Sequence, residues 1–172
     1  MSGEKGKWIV TALVAAALGA ALLAACGGSS SSTDQLREKT KSGLLDFGEE
    51  GSAAEVEEAE EAVRKVLLAR SKENWPATCA QISQALQDKI KHLAVSSTQL
   101  SDQSCPAFLK AFLSLSEQER QEGSVIEAGS LREQGSRAFF IYLGPGEVVY
   151  AVPMRREGDA WKADSLAPKQ LS

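Results

Sequence analysis

The 172-residue chain has one histidine, two tyrosines and three cysteines, and aromatic side chains make up only 6% of it. His92 stands alone, with no Ser or Cys motif to serve, and reads as a surface or packing residue. No Gly-x-Ser-x-Gly appears, and Gly144-Pro145-Gly146 is a turn rather than a phosphate loop. No internal repeat is visible. Basic residues do not outnumber acidic ones: 19 Lys and Arg face 23 Asp and Glu, a formal net charge of −4. A mildly acidic chain lacks the basic patch that nucleic acid demands, so no nucleic-acid partner is expected.

Long apolar runs are also scarce, with one at the start. Lys5 and Lys7 precede Trp8 to Ala25, a stretch rich in Ala, Leu and Val and interrupted by Thr11 and Gly19. The run ends on the small residues Ala24 and Ala25 just before Cys26, which is the three-part build of a secretory signal. The run lies near the lower length limit for spanning a bilayer, and alanine gives it little drive to stay there. Leu23-Ala24-Ala25-Cys26 resembles the bacterial lipobox, in which a signal peptidase cuts before the Cys and a diacylglycerol is placed on its thiol. Leu23, Ala24 and Ala25 are then the recognition residues and Cys26 the lipidation site. An uncleaved anchor with an incidental Cys is the competing reading. Both put residues 26–172 outside the cytoplasm, and the lipid reading puts them on the outer face of the bacterial cytoplasmic membrane. Two or three acyl chains anchor far more firmly than one, at ~0.8 kcal/mol per buried CH₂. Losing Glu4, Lys5 and Lys7 with residues 1–25 shifts the formal charge from −4 to −5.

The other two cysteines sort by compartment. Cys79 and Cys105 form the one remaining pair in an oxidising space, so a disulfide is the default reading, with two buried thiols as the alternative. Two Cys supply half of a zinc shell and His92 is the sole histidine to help, so no metal is expected. No cofactor motif appears either.

Residues 26–51 read as a tether. Gly27 to Ser32 has no apolar side chain to bury, and the whole tether, as a coil of about 25 residues, keeps its ends roughly 25–30 Å apart. Asp34 to Gly51 is charged, with Leu44, Leu45 and Phe47 as its strong apolar residues, and coil is expected there too. The folded domain is placed at 52–172. Ser52-Ala53-Ala54-Glu55 is a capping box that opens a helix to about Ser71. Val56, Ala59, Val63, Val66 and Leu67 share one face. Glu60–Arg64 and Glu61–Lys65 are favourable i,i+4 pairs, so the glutamate run reads as a solvated face rather than a cation site. Asn74-Trp75-Pro76 and Ser104-Cys105-Pro106 are two further helix starts. Ser83 breaks the helix between them, which resumes through Leu86, Ile90 and Leu93. Phe108, Leu109, Phe112 and Leu115 form an apolar stripe. Ser116 to Glu119 is another capping box, and Gly123 ends that piece.

After Gly123 the period changes to two. Val125 to Arg132, Arg137 to Leu143, Val148 to Met154 and Ala160 to Leu166 read as four strands, joined by turns short enough to force an antiparallel meander. The second and third are apolar on both faces, so one face packs on the helices and the other needs a cover. The fold class is α+β: helices followed by a curved four-stranded antiparallel sheet.

The stretch from Ala53 to Leu166 resembles the nuclear-transport-factor-2-like lipoproteins of bacteria. The likeness rests on Asn74 to Ser83, on Ser104-Cys105-Pro106 with Phe108, Leu109 and Phe112, and on Met154 to Lys162. It implies a cone in which helices lie across a bent sheet, with Cys79 and Cys105 joining the second and third helical pieces. It implies binding for many members and catalysis for some. The catalytic members use a pocket Asp base with Tyr and acid donors. That constellation has no match here: Asp88 and Asp102 sit in polar stretches, and no acid alternates beside Tyr142 or Tyr150. The expected function is therefore a non-enzymatic, membrane-anchored domain that takes a small apolar ligand in the cone or a protein partner. A homodimer through Phe139 and Val149 is one form of the latter. An isomerase- or dehydratase-type enzyme and a purely structural interaction module are the alternatives. A hollow or filled cone separates them.

Overall fold

Short polar side chains fix where the helices begin. The computed structural model describes residue 36 and residues 43–96, 102–116, 120 and 125–171. Leu23, Ala24, Ala25, Cys26, Gly123 and the last three residues of the capping box at Ser116 lie outside them. Helix α1 (Ala53–Ser71) opens on Ser52, whose hydroxyl accepts the Glu55 amide at 3.4 Å while Glu55 Oε2 accepts the Ser52 amide at 2.9 Å. Both halves of the capping box are therefore made. Helix α2 (Trp75–Gln81) opens on Asn74, whose Oδ1 accepts the Ala77 amide at 3.2 Å, with Pro76 in the first turn. Ser83 breaks the chain and its hydroxyl accepts the Leu86 amide, so α3 (Gln84–Ser96) starts at once. Ser104 caps α4 (Cys105–Phe112) in the same way, with Pro106 following.

The four expected strands are present as β2 (Ala128–Gln134), β3 (Arg137–Leu143), β4 (Val149–Glu157) and β5 (Ala160–Ala163). Two short strands add to them, β1 (Glu49–Glu50) and β6 (Lys169–Gln170). The order is β1-β2-β3-β4-β5, with β6 also on β4, and every pairing is antiparallel. The sheet does not close.

One face of the sheet meets the helices. Leu131, Ala138, Phe140, Tyr142, Val152, Met154 and Trp161 pack against Ala59, Val63 and Leu67 of α1, Trp75 and Cys79 of α2, Ile90 of α3 and Leu109 of α4. The helical spacing over-reached at two helix ends: Leu93 and Phe112 are about half exposed or more.

The other face departs from the expectation of coil up to Gly51. Gly43–Asp46 forms a 3₁₀ turn and β1 follows it. Leu36 and Leu45 are buried in one cluster with Ile141, Leu143, Val149 and Ala151, and Leu44, Phe139 and Leu171 pack around it. Phe47 sets its ring edge-on to Phe139 at 5.0 Å between centroids. Burying an apolar side chain stabilises by ~1.5–3 kcal/mol against ~1–2 kcal/mol for ordering each backbone unit, so Leu36 and Leu45 do not order the segment by themselves and its bonds to β2 contribute as well. We call residues 36 and 43–51 the strap. Val149 is fully buried beneath it and Phe139 lies against Phe47, so the face put forward for a homodimer is covered by the chain itself.

Backbone bonds hold the strap at its far end. Arg132 donates from Nε to the Phe47 carbonyl at 3.1 Å and from Nη2 to the Gly48 carbonyl at 2.9 Å. The Gly51 amide reaches the Leu131 carbonyl at 2.9 Å. Gly48 has φ +51°, and a Cβ there would fall 2.0 Å from the Glu133 carbonyl oxygen, so no other residue fits.

Cys79 and Cys105 are joined, with their Cα atoms 6.2 Å apart and a sequence separation of 26. The bond ties α2 to α4. On the chain-entropy account a loop of this length is worth about 3–4 kcal/mol. Replacing both cysteines by Ala should lower the free energy of urea unfolding by that amount. An unchanged unfolding midpoint would contradict it.

Candidate functional site

The space between the helices and the sheet is where a cone pocket would lie. Its floor is an aromatic ladder. Phe140 and Tyr142 stack at 5.8 Å, and Tyr142 stacks on Tyr150, its register partner across β3 and β4, at 5.4 Å. Glycine makes room for these rings. A Cβ on Gly129 would meet the Phe140 ring at 2.4 Å, and one on Gly144 would meet the Tyr150 ring at 2.7 Å. Arg70 enters from the last turn of α1, is largely buried, and donates from Nη1 to the Leu166 carbonyl at 3.1 Å. Burial and then the neighbouring Tyr150 push the Tyr142 hydroxyl well above the ordinary tyrosine range, against the pull of Arg70. Tyr142 therefore stays protonated.

Between α1 and the sheet there remains a cavity of about 10 Å³, lined by Val63, Val66, Leu67, Val152 and Leu166 among others. That is room for one water at most, and its apolar lining gives a water little to bond. Phe140, Tyr142, Met154, Trp161 and Leu109 fill the remainder of this region and are each at most 2% exposed.

The residues weighed as catalytic do not gather there. Asp88 and Asp102 are exposed; one accepts from the Gln84 side chain and the other from the Ser104 amide. His92 is exposed on α3. Among the described residues no group of three or more His, Cys, Asp or Glu could hold a metal ion. No described helix is long and apolar enough to cross a membrane.

Two polar networks at the sheet's end were hidden from the sequence. In the first, Ser83 donates to Asp164 Oδ1, and Asp164 Oδ2 accepts from Arg155 at 3.2 Å. The Ser83 amide bonds the Ala163 carbonyl at 2.8 Å. With Ser83 fully buried and its hydroxyl already capping α3, this is a latch between helices and sheet, closed to substrate.

The second network surrounds Arg156. Its guanidinium lies 4.5 Å over the Trp161 ring. Its Nη2 is 3.1 Å from Glu55 Oε1 and 3.8 Å from Glu133 Oε2. Glu58 accepts the Trp161 amide at 3.1 Å. Glu133 stands directly across from Glu49 in the β1–β2 pairing. Beside them runs a surface groove of about 660 Å³, lined by Gly48, Glu49, Glu133, Gln134, Gly135 and Arg156. Hydrogen bonds from Ser52, then Arg156, hold the Glu55 carboxyl below its ordinary range. Burial, then Glu55, raise that of Glu133; Arg156 opposes the rise and Glu49 adds to it.

No known protein family, curated protein or solved structure matches this chain. Arg155 and Arg156 are adjacent on β4, and both guanidiniums are engaged by carboxylates. The partners lie up to 101 positions away, beyond the reach of any local pattern. The interior offers a packed phenol and a buried guanidinium, while the rim offers ion pairs and an open groove.

Arg156 covers Trp161 and neutralises two acids at once. Replacing it with Ala should cost about 1–2 kcal/mol in urea unfolding, and Lys should restore only part of this because it cannot stack a planar fork on the ring. Wild-type stability in the Ala variant would contradict this assignment.

Proposed function

We propose that this chain is a bacterial lipoprotein, held at the outer face of the cytoplasmic membrane through a lipidated Cys26. Its α+β domain, similar in layout to nuclear-transport-factor-2-like lipoproteins, serves by docking a protein partner and not by catalysis. The tight packing of the interior among the described residues carries this reading. A small apolar ligand needs a cavity far larger than one water, typically of ~300 Å³ or more. The cavity between α1 and the sheet falls short of that by more than an order of magnitude. The Cys79–Cys105 bond supports an oxidising compartment, where structural disulfides persist.

Two measurements on the full-length chain expressed in bacteria test the reading. Wild type should fractionate with membranes and give the mass of a lipidated chain beginning at Cys26. Cys26→Ala should lose both the lipid mass and the cleavage. Identical processing and membrane retention in the variant would end the anchor claim. Native mass spectrometry of the detergent-released protein should show no stoichiometric small molecule. A co-purified apolar ligand would overturn the docking reading and restore the cone as a binding pocket.

A further inference from the structure

The described elements of the strap are short: its 3₁₀ turn has four residues and its strand two. Leu36 and Leu45, with Leu44 and Phe47 beside them, supply apolar contact, and the β1–β2 pairing, Arg132 and the Gly51 amide supply the bonds to β2. Against these stands one unfavourable choice. The β1–β2 register sets Glu49 directly opposite Glu133, and like charges facing each other across a strand pair are destabilising. Glu55, at the start of α1, brings a third carboxylate to the same rim through its bond to Arg156.

We propose that the strap is a releasable cover for the outer sheet face, held more firmly in acid than at neutral pH because seating it forces Glu49 against Glu133. What it uncovers on leaving is apolar: Ile141, Leu143, Val149 and Ala151. The groups facing Glu133 are Glu49 from β1, Glu55 from α1 and Arg156 from β4. The acids outweigh the one cation, which stands 3.8 Å away and is shared with Glu55. Glu133 therefore holds its proton above the ordinary glutamate range while the strap is seated. With the strap gone, Glu49 leaves, the β2 edge regains water and that proton is held less tightly.

The sign follows from linkage. A carboxyl whose pKa is raised in the closed form favours that form below the ordinary glutamate range. The contribution fades as pH rises through the raised value. Glu50 of the strap lies 3.8 Å from Arg132 and forms an ion pair with it.

Amide exchange on the full chain in detergent micelles tests the proposal. The probes are Phe47 and Gly51, whose amides bond the Leu44 and Leu131 carbonyls. Their protection factors should fall several-fold between about pH 5 and about pH 8, while β3 and β4 amides keep theirs. Glu133→Gln should hold strap protection high at both values. Glu49→Gln should shrink the pH response, and it decides the matter if Glu133→Gln fails to fold. Equal wild-type protection at the two values would overturn the proposal. So would a pH response that survives in the folded variants.

Discussion

Strands β3 and β4 carry apolar side chains on both faces, and that sets the terms for the rest of the molecule. Such a sheet cannot leave either side to water without exposing a large apolar patch. The helices close one side, with Phe140, Tyr142, Val152 and Met154 beneath them. The strap closes the other, with Leu36 and Leu45 set over Ile141, Leu143, Val149 and Ala151. The chain therefore runs from the outer face of the sheet round its β2 edge to the helix layer, and Gly51 is the point where it turns the corner.

That corner is also where the charges meet. Glu55 caps α1 through Ser52 and reaches Arg156 on β4 with its other oxygen. Arg156 in turn lies on Trp161, whose amide returns to α1 at Glu58. Helix start, strand end and last hairpin are thus joined by one set of contacts. On the far side of the helices, the Cys79–Cys105 bond and the Ser83–Asp164–Arg155 latch fix α2, α3 and α4. With both ends tied, the described interior is packed by its own rings.

Much of this was legible in the sequence because it is local. Ser52, Asn74 and Ser104 announce helix starts through side chains that bond a backbone amide three residues on. The meander follows from period-two apolar residues and turns too short for crossovers. The strap was not legible for two reasons. A two-residue strand has no period, and Leu44, Leu45 and Phe47 sit among charges, outside any helical or strand repeat. Their burial depends on a face formed some hundred positions later. The rim network was hidden for the same reason: Arg155-Arg156 looks like a free basic pair until the fold brings Glu55 and Asp164 to it. The filled interior was not legible either, since whether a cone is hollow depends on how Phe140, Tyr142 and Trp161 share the space with α1.

The claim that both sheet faces are closed by this one chain is tested most directly by shortening it. A chain beginning at Gly27 and one beginning at Ser52 differ by the whole strap, and their urea unfolding and binding of an apolar dye can be compared. The account predicts that the shorter chain is measurably less stable and binds the dye while still folded, because Ile141, Leu143, Val149 and Ala151 lose their cover. Equal stability, with no dye bound to the shorter chain, would contradict it.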